Sequence, residues 1–156
     1  MLDSDNAAFI LTGVSISLAS CDSGRLPSMS RGLGCKLIDD GRQVSIFLRR
    51  SQSEALLENI RSSGGRVANV FSLPSSNRTL QLKGVDARIV PFAAEDTPVI
   101  EEHIAEFLLE VVPLGMSEAV VRAILAYQPD DLVSVVYSPS AAFSQTPGPK
   151  AGAPLG

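Results

Sequence analysis

Hydrophobic and polar residues alternate over residues 12–20, where Ser15 and Ser17 separate Val14, Ile16 and Leu18. A two-residue period gives a strand one apolar and one polar face. An Asp22-Ser23-Gly24 turn leads into a second predicted strand over 28–37. Met29, Arg31, Leu33, Cys35 and Leu37 share one of its faces, and Ser28, Ser30, Gly32 and Gly34 share the other. Four small residues in a row admit close approach by a ligand or by another backbone. Asp39-Asp40-Gly41-Arg42 turns the chain again, and Val44, Ile46 and Leu48 alternate in a third strand. Two more strands are predicted over 66–73 and 78–90. Parity slips within the second of these at Gly84, which predicts a bulge or bend of the kind that curls a sheet into a barrel.

Helical spacing interrupts and then replaces this pattern. Ser51 followed by Glu54 reads as a capping box, and Leu56, Leu57 and Ile60 form a stripe over 53–62 that Gly64-Gly65 ends. Thr97 and Pro98 start a helix through about residue 112, with Glu101 and Glu102 in its first turn. Pro113-Leu114-Gly115 breaks it, a second helix follows over 117–127, and a last strand over 132–137. The Pro/Gly-rich stretch 145–152 fits neither a helix nor a central strand, and reads as a loose tail or a covering arm. At 156 residues the chain is the size of one domain. Its predicted parts are barrel strands over about 10–92 and 131–138, a helical segment over 97–128 and an arm over 139–156. The class is α+β.

Charge sharpens that division. The net charge is −4, which argues against a general nucleic-acid binder. Residues 1–90 hold eleven basic and eight acidic side chains, whereas 91–156 hold two and nine. No run of eighteen apolar residues exists, so no membrane partner is expected. Leu18-Ala19-Ser20-Cys21 resembles a lipoprotein cleavage box, but Asp3 and Asp5 precede it where a leader carries bases. A cytoplasmic protein is expected. Cys21 and Cys35 fall on the order of 30 Å apart along the predicted hairpin, too far to bridge, and read as free thiols. Two cysteines and one histidine leave no zinc pattern.

No nucleophile elbow, phosphate loop or dinucleotide fingerprint occurs. His103 lies on the stripe Ile100, His103, Phe107, Val111 and reads as a packed histidine. The pairs Asp39-Asp40 and Asp130-Asp131 sit at turns, as solvated or capping residues. The arginines carry more. Arg31 shares a strand face with Met29 and Leu33, where it calls for an anion. Arg49 and Arg50 precede the helix start at Ser51, beside free backbone N–H groups. Arg78 and Lys83 lie on the following strand pair. Each alone is an ordinary snorkelling side chain. Together they favour a phosphate-bearing ligand.

The order of strand, turn with Gly24 and Pro27, strand with Arg31, strand, short helix and an Arg78-Thr79-Leu80-Gln81-Leu82-Lys83-Gly84 strand resembles the pyridoxamine 5′-phosphate oxidase-like FMN-binding family. The resemblance covers about residues 10–92. It implies a six-stranded antiparallel split barrel and a homodimer that binds FMN at the subunit interface. By position it assigns the flavin to Arg31 with Gly32, to Phe47 and Leu48, to Arg49, Arg50, Ser51 and Ser53, and to Arg78 with Thr79. The family's basic clasp at the helix start appears here as Gln52-Ser53-Glu54, and its Arg-Gln pair as Arg78-Thr79. The oxidase's C-terminal substrate motif is missing, so pyridoxamine phosphate is not the expected substrate.

The expectation is an FMN-dependent oxidoreductase of unnamed substrate, with the flavin supplying the chemistry and no side chain marked as catalytic. The competing expectation is a non-enzymatic binding module on the same barrel, holding haem, a deazaflavin or nothing. A third is a structural dimer whose arginines pair with its own acidic helices.

Overall fold

Ile16 and Leu18 are fully buried while Ser15, Ser17 and Ala19 between them are half-buried, so strand β1 (Ser15–Cys21) has the two faces its sequence predicts. The computed structural model describes residues 2–155. Around β1 the chain forms α1 (Ser4–Ile10), β2 (Pro27–Arg31), β3 (Gly34–Ile38), β4 (Gln43–Arg49), α2 (Glu54–Ser62), β5 (Val67–Ser72), β6 (Thr79–Gly84) and β7 (Arg88–Pro91). The helices α3 (Thr97–Val111) and α4 (Glu118–Ile124) follow, then β8 (Leu132–Tyr137), β9 (Ala141–Ser144) and β10 (Pro154–Leu155).

The strands make two antiparallel sheets. One has the order β10-β9-β6-β5-β1-β2 and the other β3-β4-β8-β7. The chain passes from one to the other four times, at 32–33, through α2 at 50–66, at 85–87 and at 138–140. The single strand predicted over 28–37 is therefore two strands in different sheets. Its break has a steric cause: Gly32 donates its N–H to the Ile16 carbonyl, and a Cβ at Gly32 would stand 2.6 Å from Ile16 Cγ2. Leu33 then donates to the Phe47 carbonyl in the second sheet. The parity slip at Gly84 marks the crossing from β6 to β7, where β6 ends and the Tyr137 ring would lie 2.6 Å from an added Cβ.

The main core fills the space between the sheets with Ile16, Leu18, Val44, Ile46, Phe71, Leu80, Leu82 and Val135, closed at one end by Leu56, Leu57 and Ile60 of α2. Tyr137 is buried there and accepts a hydrogen bond from Asn69 Nδ2 at 3.1 Å. A second core joins Phe47 and Leu33 to Ile100, Ile104, Phe107 and Leu108 of α3 and Val121 of α4. β4 and β8 thus have apolar packing on both faces, which is why residues 44–48 and 132–137 are buried without alternation.

Three local readings differ from the sequence expectation. Helix α1 was not foreseen; Asp3 caps it by accepting from the Asn6 N–H at 2.8 Å. Helix α2 begins at Glu54, with Ser53 at the N-cap making no side-chain cap bond, so the Ser51–Glu54 box does not form. Residues 141–155 fold back as a β-hairpin, β9 pairing with β6 and β10 with β9 along the sheet edge. Edge position is where a strand tolerates Pro154.

Candidate functional site

The last residue of β4 and the N-cap of α2 each carry an unpaired donor. Arg49 donates from Nη1 to the Ala126 carbonyl at 2.8 Å, yet its Nε is buried with no partner. Ser53 is 2% exposed, and its hydroxyl also has no partner. Its N–H donates to the Arg50 carbonyl at 3.0 Å, closing a tight turn that brings the α2 N-terminus beside Arg49. A buried donor without an acceptor costs on the order of 1–3 kcal/mol. Two such donors flank the turn 50–53.

The charges converge as well. Burial holds the Arg49 guanidinium below its usual pKa; Asp131 offsets this, and the positive charge of Arg31 adds to it. Arg31 ends β2, where its Nη1 donates to Ser15 Oγ at 3.2 Å. β2 is tied to the α2 turn by Ser30 Oγ donating to the Gln52 carbonyl at 3.3 Å, and to α2 by Asn59 Nδ2 donating to Ser28 Oγ at 2.7 Å. Arg50 is exposed beside them.

One counter-charge is already present. Asp131 takes the Ser51 N–H on Oδ1 at 2.8 Å and the Ser51 hydroxyl on Oδ2 at 2.6 Å. These two bonds, with Arg49 and Arg50 nearby, hold its carboxyl below the usual carboxylate range. Sequence reasoning placed Asp131 only at a turn; its partner is eighty positions away and no local signal links them.

The structure thus gathers Arg31, Arg49, Arg50, Ser51 and Ser53. Thr79 joins them indirectly through a row of hydroxyls across the outer face of the larger sheet. Its Oγ1 lies 2.8 Å from Ser72 Oγ, Ser72 is the register partner of Ser15, and Ser15 accepts from Arg31. Arg78 faces the other way, paired with Asp5 at 2.6 Å and 4.1 Å over the Phe9 ring. Gly32 is packed on Ile16, and the Phe47 and Leu48 side chains are consumed by the two cores. The same outer sheet face carries Ser17, Ala19, Ala68 and Val70, all half-buried.

His103 is packed as its stripe predicts: 7% exposed, stacked on Phe107, and pushed by burial to a pKa of about 4. Both cysteines are free. Among the described residues no cluster of metal ligands occurs, and no helix is long and apolar enough to cross a membrane.

No protein-family profile and no curated protein sequence matches the chain. Solved structures do. HupZ from Group A Streptococcus superposes with a TM-score of 0.56 at 14% identity, covering 97% of this chain and 100% of that one. A candidate pyridoxamine 5′-phosphate oxidase from Lactobacillus delbrueckii gives 0.55 at 15% identity over 91% and 93% of the two chains. HutZ, the haem storage protein of Vibrio cholerae, gives 0.51 at 12% identity over 92% and 94%. The chain has the fold of the pyridoxamine 5′-phosphate oxidase-like FMN-binding proteins. The same fold is found in a haem storage protein.

Proposed function

We propose that the chain is an FMN-binding flavoprotein on a split barrel, a homodimer with the flavin at its interface, acting as an oxidoreductase. The observation that carries this reading is the pair of buried, partnerless donors on either side of the tight turn 50–53, Arg49 Nε and Ser53 Oγ, with the charge of Arg31 acting on Arg49. A phosphate monoester has the oxygens and the charge to meet them, each charge-assisted bond contributing roughly 1.5–3 kcal/mol. Arg31, Arg49, Arg50 and Ser53 would hold that group. Ser15, Ser72 and Thr79 lie along the outer sheet face, where the rest of a planar ligand would be covered by a second copy. Bound flavin would supply hydride or electron transfer, and the protein orientation and exclusion of water.

The visible spectrum of the purified protein tests the cofactor. A flavin spectrum, or quenching of added FMN fluorescence, is the expected result; a colourless protein indifferent to FMN rejects it. An Arg49→Ala/Arg50→Ala double variant that still copurifies with full flavin would reject the phosphate site. Light scattering should give twice the monomer mass.

A second reading, a non-enzymatic binding module, draws on one observation: Asp131 already supplies Ser51 with a carboxylate. The likeness to a haem storage protein makes haem the ligand to try, and a Soret band on haem addition would favour it over the flavin.

A further inference from the structure

We propose that Asp131 is a built-in competitor for the ligand's phosphate, a specificity-determining residue that sets how tightly the anion site holds it. The proposal rests on the phosphate-site reading above. Its two carboxylate oxygens engage one residue's N–H and O–H, at 2.8 and 2.6 Å, in the manner of an anion seated on the turn before a helix. The charges of Arg49 and Arg50 both act on Asp131, whose carbonyl accepts from the Arg50 N–H. It serves only part of the site. Arg49 Nε and Ser53 Oγ remain without an acceptor, although the carboxylate is close enough to influence Arg49.

A phosphate monoester offers three terminal oxygens and close to two negative charges. Reaching Arg49 and Ser53 puts it next to an ionised carboxylate, and the two repel. The ligand must therefore turn Asp131 off Ser51 and take over those two donors. The local backbone is built for a side-chain swing and not for a loop movement. The Asp131 carbonyl accepts from the Arg50 N–H at 2.6 Å and its own N–H donates to Gln128, so the main chain stays anchored while the carboxylate leaves.

Asp131→Asn tests this, because the amide keeps an acceptor for Ser51 and removes the charge. FMN and riboflavin affinities are read by quenching of flavin fluorescence, and inorganic phosphate by the shift it causes in the melting temperature. FMN should bind Asp131→Asn about tenfold more tightly than the unaltered protein, one charge contact's worth. Riboflavin, which lacks the phosphate, should bind both alike. An unchanged or weakened FMN affinity overturns the proposal and leaves the flavin reading standing. If neither form binds any flavin, the flavin reading fails, and inorganic phosphate decides the proposal. A larger stabilisation of Asp131→Asn supports it, and an equal or smaller one rejects it. A tightening of FMN and riboflavin by the same factor also rejects it, since Asp131 would then act on the fold and not on the phosphate.

Discussion

Gly32 and Ile16 are in contact so close that a single methyl group on Gly32 would lie 2.6 Å from Ile16 Cγ2 and 3.3 Å from Ile46 Cγ2. Gly32→Ala should therefore destabilise the protein by about 1–3 kcal/mol, the usual cost of overpacking. Urea denaturation measures it. Ile16→Ala in the same chain removes the nearest of the obstructing atoms, leaving the Ile16 Cβ at 2.9 Å, so the two losses should sum to more than the double variant shows.

Ser53 separates stability from binding. Its hydroxyl is buried and unbonded, and it caps α2 without a side-chain hydrogen bond. Ser53→Ala should leave the ligand-free protein as stable as before, or stabilise it by about 1 kcal/mol. Its FMN affinity should fall about tenfold. A loss of stability together with unchanged affinity would show that the hydroxyl serves the fold.

Arg78 holds helix α1 to the sheet. It pairs with Asp5, donates to Asn6 Oδ1 at 3.1 Å and lies over Phe9, whose ring belongs to the main core. The ion pair is largely exposed and contributes little by itself. With the ring contact the total should be about 1 kcal/mol. Arg78→Ala should accelerate amide exchange in residues 4–10 and leave the exchange of α2 unchanged.

His103 gives the protein an acid-sensitive margin. Burial lowers its folded pKa to about 4, against 6.5 when exposed. Between those values the unfolded chain takes up a proton that the folded one refuses, so stability falls as pH drops from about 6.5 to about 4, by about 3 kcal/mol in all. Above pH 7 the group has no effect on the slope. His103→Leu should flatten the stability profile within that window, read by denaturation at pH 7.5 and pH 4.5. Parallel profiles for the two proteins would refute it.

The elements that were legible from sequence are those in which local pattern and burial agree. β1 alternates because one face is dry, and β8 occupies the predicted 132–137 because an unbroken Leu-Val-Ser-Val-Val-Tyr run suits a strand packed on both sides. Arg49, Arg50 and Ser51 were found because helix start and basic pair adjoin in the chain, and Ser53 only through the family resemblance. Asp131 was not, since its bond to Ser51 is made by the fold alone. The small face of 28–34 left ligand and backbone as alternatives, and at Gly32 the carbonyl and side chain of Ile16 in β1 decide it. β9 has the sequence Ala-Ala-Phe-Ser, with only Phe143 favouring a strand; pairing with β6 makes it one.

The four crossings between sheets also order events during synthesis. β4 pairs with β8, as Phe47 does with Ser134, and β7 has no strand partner other than β8. Until Leu132–Tyr137 has left the ribosome, β4 has one edge open and β7 has two. The apolar run from Val44 to Leu48 must wait, exposed, for more than eighty further residues. A chaperone that shields this stretch would act before β8 arrives, and late truncations should aggregate where early ones merely fail to fold.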